Sequence, residues 1–207
     1  MKAQNPISVA TLRRLPMYLS YLKSLPKDGP ANISATVAAS ALSLNEVQVR
    51  KDFAAVGEGG KPKIGYITEE LIADIENCLG RSKSIKAILV GAGNLGRALL
   101  CCDSFSQYGL TIEAAFDCSE NIIGSQINGL TVEPMEKMEE FCRQHNVRVG
   151  ILTVPERHAQ EVCDRFVENG IHAIWNFALI KLRYPENVTV LNEHIGSSLP
   201  LLLQHTN

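Results

Sequence analysis

Long hydrophobic runs are absent from this chain. Within its 207 residues, no apolar stretch approaches the roughly 20 residues that a membrane-spanning helix needs, and we expect no membrane partner. Arg13 and Arg14 lie near the N-terminus without an apolar core or a small-residue cleavage site behind them, which argues against a secretory signal.

Closely paired cysteines are absent as well. The six cysteines show no C-x-x-C spacing and are scattered as Cys78, Cys101, Cys102, Cys118, Cys142 and Cys163. Without such pairs or a secretory signal, the pattern favours reduced thiols and a cytoplasmic protein over a disulfide framework. The adjacent Cys101 and Cys102 fit an oxidant sensor or, more simply, two small apolar residues on a helix.

A large net charge is also lacking, because 20 Lys and Arg face 22 Asp and Glu. The balance is uneven along the chain, however. Residues 1–66 hold nine basic and four acidic side chains, whereas residues 67–207 hold eleven basic and eighteen acidic ones. The N-terminal part is therefore basic and the rest of the chain is acidic, which indicates that only the N-terminal part binds a polyanion such as double-stranded DNA.

The front of the chain carries three helical patterns, which span residues 7–25, 35–41 and 43–56. Ser34 is placed to cap the second helix. Ser43-Leu44-Asn45-Glu46 has the S-x-x-E form of a capping box at the start of the third. Two short helices joined by a tight turn predict a helix-turn-helix, with Gln48, Arg50 and Lys51 near the middle of its last helix.

Residues 57–66 are rich in glycine and carry Pro62, so they disfavour a helix. We expect a β-hairpin with Lys61 and Lys63 at its tip, which would make the first domain a winged helix. In that fold the third helix enters the major groove, and the wing meets phosphate or the minor groove. The alternative is a small helical dimerisation domain with a solvated charged face.

After a helix that Thr68 would cap and that ends near Leu79-Gly80, strands and helices alternate. The predicted strands span residues 85–91, 111–116, 149–154, 173–177 and 188–191, and the predicted helices span residues 95–106, 135–145 and 156–169. This rhythm predicts an α/β fold with a doubly wound parallel sheet covered on both faces, a Rossmann domain. The predicted domains are residues 1–80, 81–192 and a C-terminal helical segment, 193–207.

The strongest motif of the chain is Gly91-Ala92-Gly93-Asn94-Leu95-Gly96, which follows an apolar strand. Gly91 permits a tight turn, Gly93 lets the backbone approach a pyrophosphate, and Gly96 lets the helix pack on the strand. Asp117, 21 residues after the last glycine, is placed to bind ribose hydroxyls and to repel a 2′-phosphate. The motif therefore predicts NAD(H) as cofactor, although another adenine nucleotide such as coenzyme A stays open.

A dehydrogenase would need a proton donor and a substrate domain. His158, His172 and His194 are the candidate donors, but only a few tens of residues follow the nucleotide domain, and no Tyr-x-x-x-Lys pair is present. We therefore expect a domain that binds the nucleotide without turning it over, with no catalytic residue and no metal site. A small NAD-dependent oxidoreductase remains the enzymatic alternative.

The last residues, 195–204, predict a short apolar helix with four leucines within five positions. One terminal turn cannot bury all four by itself. The helix must therefore dock on its own domain or on a second subunit.

Taken together, these segments resemble the Rex family of redox-sensing transcriptional repressors over nearly the whole chain. The matching segments are Arg14-Leu15-Pro16-Met17-Tyr18-Leu19, Gln48-Val49-Arg50-Lys51-Asp52-Phe53, Gly65-Tyr66, Val90 to Leu99, Phe116-Asp117, Ile123-Gly124, Leu152-Thr153-Val154-Pro155 and Trp175-Asn176-Phe177-Ala178. The resemblance implies a homodimer with a domain-swapped C-terminal helix. It also implies a repressor that binds a palindromic operator and leaves it when NADH rises.

The resemblance also implies roles for single residues. Those expected at the cofactor are Gly91, Ala92, Gly93, Asn94, Leu95, Gly96, Asp117, Ile123, Thr153, Val154 and Pro155. Those expected at DNA are Ser43, Asn45, Gln48, Arg50, Lys51, Lys61 and Lys63.

In the family, an arginine, a tyrosine and an aspartate form a switch around the nicotinamide. An ungapped alignment places Arg14, Cys102 and His194 at these three positions. A histidine cannot replace a carboxylate that pairs with arginine. Either the chain is a divergent paralogue with a lost or altered NADH response, or the alignment slips by one or two residues near Glu193.

Overall fold

The structure of the protein, a computed structural model, describes residues 7–26, 29–57, 60–62, 64–80 and 84–204. Its internal contacts divide the chain into two compact units, Met1–Lys83 and Ser84–Asn207. Residues 81–83, at the boundary between the two units, lie outside the described residues.

The N-terminal unit is mainly helical. Its elements are α1 (Val9–Ser24), β1 (Asn32–Ile33), α2 (Ala35–Ala41), α3 (Glu46–Val56), β2 (Tyr66–Ile67) and α4 (Thr68–Cys78). The helices bury one shared core, in which Tyr18 and Phe53 meet edge to face with ring centroids 5.3 Å apart. The three predicted helices are therefore present, with α2 and α3 joined by a tight turn.

The start of α3 differs from the predicted capping box. The cap is Asn45, whose side-chain oxygen accepts a hydrogen bond from the Gln48 amide at 3.2 Å. Ser43 lies in the turn before it with a φ of 54°, a left-handed conformation in which its hydroxyl does not cap the helix. By contrast, Ser34 caps α2 as predicted, since its hydroxyl accepts from the Val37 amide.

The described residues of the predicted wing show a hairpin turn with a single antiparallel pair. Lys61 and Gly65 form only an isolated bridge, closed by two hydrogen bonds of 2.9 Å, and the next strand, β2, pairs antiparallel with β1. Gly65 has a φ of +90°, and a Cβ there would lie 2.4 Å from the Ile33 carbonyl oxygen. The described part of the wing is thus a tight loop folded against β1, and Lys63 lies outside the described residues.

The predicted cap of α4 was also wrong. No side chain caps its N-terminus, and the Thr68 hydroxyl instead donates to the Pro30 carbonyl at 2.9 Å. The predicted end is confirmed at Gly80, whose φ of +73° suits glycine and stops the helix.

The C-terminal unit is a seven-stranded sheet in the order β5-β6-β4-β3-β7-β8-β9. Its strands are β3 (Ile85–Val90), β4 (Leu110–Asp117), β5 (Gln126–Ile127), β6 (Leu130–Pro134), β7 (Val149–Leu152), β8 (Ala173–Asn176) and β9 (Thr189–Asn192). All neighbouring pairs are parallel except β5 with β6. The predicted α/β fold with a doubly wound sheet is confirmed.

Helices cover the two faces of this sheet. They are α5 (Asn94–Leu100), α6 (Met138–His145) and α7 (Glu156–Glu168). One buried cluster includes residues of α6 and α7, and another includes Leu100 of α5. A further helix, α8 (Leu199–Leu203), lies near the C-terminus, and its described side chains belong to neither buried cluster. The helix predicted over residues 95–106 was wrong in length, because α5 ends at Leu100 and a 3-10 helix follows over Asp103–Tyr108.

The C-terminal segment forms a 3-10 turn (Ile195–Ser198) and then α8. Ile195, Leu199 and Leu202 are 72%, 54% and 62% exposed. The expectation that this apolar helix docks elsewhere fits that exposure, and its exchange between subunits stays a prediction. Among the described residues, no helix is long and apolar enough to cross a membrane.

Candidate nucleotide site and DNA-binding surface

The glycine loop begins where β3 meets the end of β7. Gly91 has a φ of +99°, and a Cβ on it would lie 2.8 Å from the Thr153 carbonyl carbon. The Thr153 hydroxyl holds the turn, because it donates to the carbonyl oxygens of Val90 and Gly91 at 3.0 and 2.8 Å. The strand order reverses between β3 and β7, which is where open α/β sheets bind ligands.

The other two glycines of the motif have different surroundings. A Cβ on Gly96 would lie 2.0 Å from the Gly91 carbonyl oxygen, so only glycine fits between α5 and the loop. A Cβ on Gly93 would meet nothing within 4 Å, and Gly93 precedes α5 without a side-chain cap. The open space beside Gly93 and the uncapped amides of α5 suit a pyrophosphate.

Asp117 ends β4 beside this loop and is 9% exposed. Its Oδ2 accepts a hydrogen bond from the Ala92 amide at 2.7 Å, and its Oδ1 accepts one from the Ser119 amide at 2.8 Å. Each carboxylate oxygen retains a lone pair, since an ionised carboxyl group accepts about four hydrogen bonds. The carboxylate therefore braces the loop and can still accept hydrogen bonds from the hydroxyls of a ribose.

The remaining residues predicted at the cofactor lie in three segments of the C-terminal unit. Asn94 and Leu95 begin α5, with Asn94 exposed and Leu95 half-buried. Ile123 is half-buried in the turn after β4, where its amide donates to the Ser119 carbonyl. Val154 and Pro155 connect β7 to α7. Hydrogen bonds join the loop after β7 to Gly91 through the Thr153 hydroxyl, and the end of β4 to Ala92 through Asp117.

The predicted DNA-binding residues gather around α3 and the wing loop. Arg50 and Lys51 are exposed on α3, and Lys61 is exposed in the loop. Arg50 forms an ion pair with Glu46 one turn earlier, whereas Lys51 and Lys61 have no ion pair within the described part of the chain. These cations form a basic surface that can meet phosphate groups.

A groove of about 440 Å3 separates α3 from the wing loop. Its lining residues are Ser34, Ala35, Thr36, Arg50, Gly60, Lys61, Pro62, Gly65 and Tyr66. Two cations and three hydroxyl groups thus lie along one groove, an arrangement that suits the sugar-phosphate backbone of DNA.

Helix α3 also carries a buried carboxylate, Asp52, which is 1% exposed. Arg14 donates to it twice, from Nε to Oδ2 at 2.7 Å and from Nη2 to Oδ1 at 2.9 Å. Tyr18 donates to Oδ2 at 2.7 Å, and Thr11 and Gln48 donate to Oδ1 at 3.0 and 3.1 Å. We call these five side chains the Asp52 cluster.

The cluster keeps Asp52 ionised. Burial alone would raise the pKa of its carboxyl group, but the hydrogen bonds from Arg14, Tyr18, Thr11 and Gln48 outweigh burial and lower the pKa below its ordinary value. In the same cluster, burial and the hydrogen bond to Asp52 raise the pKa of Tyr18 to about 12. The cluster therefore joins α1 to α3 through one charged group.

Asp52 is not among the functional residues predicted from the sequence. The helical spacing of Val49, Phe53 and Val56 on α3 contains a signal, since it places Asp52 on the apolar face. A charged residue on a buried face needs partners, but no local sequence pattern identifies Thr11, Arg14 and Tyr18 as those partners.

The three predicted switch residues have the following surroundings. Arg14 is paired with Asp52 within the N-terminal unit. Cys102 is exposed between α5 and the 3-10 helix, with its Sγ 3.0 Å from the Ser104 Oγ. His194 is exposed just before the C-terminal helical segment. The partner of Arg14 in the structure is thus an acid that the switch hypothesis did not contain.

Two family models match the chain, one for each unit. A model described as a putative DNA-binding protein N-terminus matches residues 6–54. A model described as a CoA binding domain matches residues 82–180. The division agrees with a DNA-binding surface in the first unit and a nucleotide site in the second.

Individual proteins are similar over almost the full length. The redox-sensing transcriptional repressor Rex of Treponema denticola is 42% identical over 202 residues, covering 98% of this chain and 96% of its own. The repressor of the same name from Clostridium tetani is 35% identical over 199 residues, covering 96% of this chain and 94% of its own.

Solved structures of the Rex-family repressor RSP are similar in fold. RSP in complex with β-NAD+ and operator DNA is 34% identical, with a TM-score of 0.89, and the match covers 98% of this chain and 94% of RSP. RSP in complex with β-NADH gives a TM-score of 0.87 at the same identity, covering 98% of this chain and 95% of RSP.

Proposed function

Because the chain belongs to the Rex family of redox-sensing transcriptional repressors, we propose that it represses transcription from a palindromic operator as a homodimer. It senses the ratio of NADH to NAD+ and leaves the DNA when NADH binds. The relatives are transcriptional repressors and not enzymes, so no substrate turnover is proposed for the nucleotide domain.

The observation that carries the proposal is the buried Asp117 carboxylate beside the glycine loop. It accepts from the Ala92 amide and has the capacity to accept from both hydroxyls of an unmodified ribose. A 2′-phosphate would be repelled, which favours NAD(H) over NADP(H). The pyrophosphate would lie beside Gly93, where the structure leaves open space.

At the DNA, α3 enters the major groove with Arg50 and Lys51, and Lys61 of the wing loop meets the backbone. Asn45 contributes indirectly, since its side chain caps α3. Two subunits present two such helices to two half-sites. One subunit arrangement fits the operator well and another fits it poorly. NADH lowers the affinity for DNA because it binds the poorly fitting arrangement more tightly, and the loss of DNA affinity cannot exceed that difference in NADH affinity. A repressor acts on the chromosome, and we place the protein in the cytoplasm.

The test is fluorescence anisotropy of a labelled palindromic operator bound to the purified protein, titrated with NADH and then with NAD+ at fixed salt. We expect release by NADH at concentrations where NAD+ leaves the complex intact. Asp117→Ala should raise the NADH concentration needed for release about 10- to 150-fold, the range for one lost charged hydrogen bond. Glu120→Ala, which removes an exposed acid near Asp117, is the matched control and should leave the titration unchanged.

Two results would contradict the proposal in different ways. Tight operator binding that neither dinucleotide changes would mean that the protein binds DNA but does not respond to NADH, as in a paralogue altered at Cys102 and His194. Release by coenzyme A but not by NADH would favour coenzyme A as the ligand. The match of residues 82–180 to the CoA binding domain model is consistent with that alternative.

A further inference from the structure

The Asp52 cluster contains one member that also belongs to the DNA-reading helix. Gln48 is the third residue of α3 and is half-buried, so part of its side chain reaches the surface. The N-terminal residues of a recognition helix are those that contact base edges in the major groove. Gln48 therefore joins a buried carboxylate to the surface that would face DNA.

The Asp52 cluster determines which way the Gln48 amide points. An ionised carboxylate only accepts hydrogen bonds, and Asp52 already accepts from Thr11, Arg14 and Tyr18. Gln48 must therefore turn its Nε2 toward Asp52, as the 3.1 Å contact shows. The Oε1 and the second hydrogen of Nε2 then face away from Asp52, and the Gln48 side chain makes no other hydrogen bond among the described residues.

We propose that Asp52 is a positioning residue that fixes the Gln48 amide for reading adenine in the operator. Adenine shows the N6 amino group and the N7 acceptor in the major groove, and a glutamine amide contacts both. The Oε1 accepts from N6, and the remaining hydrogen of Nε2 donates to N7. A reversed amide would aim its NH2 group at N6 and would reject adenine.

This inference depends on the proposed DNA-binding function, so the experiment begins by testing that function. The full-length protein selects ligands from double-stranded DNA with a randomised inverted repeat. Affinities are then measured for all four base pairs at each half-site position. We expect one position at which adenine is preferred by about 5- to 150-fold, the range for a bidentate contact.

Gln48→Met keeps the length of the side chain and removes the amide, so the preference for adenine should vanish at that position alone. Gln144→Met is the matched control, because the exposed Gln144 also donates to a carboxylate one turn away, Glu140, but lies in the other unit. Replacing the selected adenine with purine, which lacks N6, should weaken the unaltered protein and leave Gln48→Met unchanged.

Asp52→Asn tests the positioning role, since a carboxamide can donate to Gln48 as well as accept. With folding verified by circular dichroism, we expect the adenine preference to fall while affinity for random DNA persists. A folded Asp52→Asn that keeps the full preference would overturn the role of Asp52.

Two further outcomes separate this inference from the function beneath it. An equal loss of affinity for every sequence in Gln48→Met would indicate a phosphate contact and would overturn the base-reading role. If the unaltered protein enriches no inverted repeat at all, the proposed repressor function itself is contradicted.

Discussion

At the scale of single residues, the Asp52 cluster is the most consequential arrangement in the N-terminal unit. A carboxylate that is 1% exposed has lost its hydration, and only its paired cation and hydrogen bonds offset that cost. Removing one partner of such a pair costs more than the pair contributes, because the remaining charge is left without compensation. The fold of α1 against α3 is therefore sensitive to this one side chain.

Asp52→Asn should destabilise the N-terminal unit by about 3 kcal/mol at neutral pH. This is the lower end of the cost of breaking a buried ion pair, because the Arg14 side chain is still 25% exposed. The folded state lowers the pKa of Asp52, so its contribution is present above its ordinary value of about 4 and is lost as the pH falls through the lowered pKa. In denaturant unfolding, the difference in the free energy of unfolding between the two proteins should narrow as the pH falls below about 4.

Two controls accompany this measurement. Asp103→Asn removes an exposed carboxylate in the C-terminal unit and should change neither the stability nor its pH dependence. The chain has one tryptophan, Trp175 in β8, so tryptophan fluorescence reports the C-terminal unit. A shift of that transition in Asp52→Asn, with no shift in the helical circular dichroism signal, would contradict the assignment.

At the scale of elements, the connection from β3 to α5 shows two glycines under opposite constraints. Gly96 is required by packing, because the Gly91 carbonyl oxygen occupies the place of its Cβ. Gly93 is not required by packing, since a Cβ there meets open space and its φ of −69° suits any residue. Packing therefore requires Gly96, whereas Gly93 leaves space for the pyrophosphate that we propose to bind there.

Gly96→Ala should destabilise the C-terminal unit by about 1–3 kcal/mol, as overpacked sites do, and should lower the thermal midpoint of Trp175 fluorescence. Gly93→Ala should unfold at the unaltered midpoint but bind NADH about 10- to 150-fold more weakly in calorimetry, because the methyl group displaces the pyrophosphate. Normal NADH binding by Gly93→Ala would show that the pyrophosphate does not lie beside this residue.

Patterns within a few residues predicted most elements, and contacts between distant residues account for most of the errors. The structures at the glycine motif, Ser34 and Gly80 follow from residues that are close in sequence. The cap of α3 was misplaced because Ser43 and Asn45 are both good capping residues, and only the turn geometry chooses between them. Strand β5 was missed because its two residues are too few to show a period. Strand β6 was missed as well, although its five residues make it longer than the predicted strands β7, β8 and β9.

The same distinction between local and distant residues separates the two candidate sites. The loop from Gly91 to Gly96 is contiguous, and its pairing with Asp117 follows a known spacing. Three of the four partners of Asp52, by contrast, are 34 to 41 residues away in the chain, and no periodicity connects these three to Asp52. Only the packing of α1 on α3 brings them together.

At the scale of the whole molecule, the exposed apolar residues of the C-terminal segment indicate a partner. Leu199 and Leu202 are more than half exposed, and burial of apolar area stabilises an interface by about 25 cal/mol per Å2. A second copy of this chain is the partner that the proposed homodimer provides.

Leu199→Asp combined with Leu202→Asp should convert the dimer to a monomer, because two carboxylates would have to be buried in the interface. Sedimentation velocity measures the change in mass, and operator affinity should fall with it. Ser197→Asp adds one charge to the same exposed segment and should leave the dimer intact. A double variant that still sediments as a dimer would place the interface elsewhere.

The hydrogen bond between the Ala92 amide and Asp117 has a consequence for what the protein can report. It holds the loop in shape before any ligand arrives, so neither NADH nor NAD+ spends binding free energy on ordering it. The two dinucleotides share the same adenosine half, and this part of the site favours them equally. When total dinucleotide is saturating, they compete for one site that is always filled. Occupancy then follows their proportion and not their amount, and the repressor responds to the redox balance of the pool while ignoring its size.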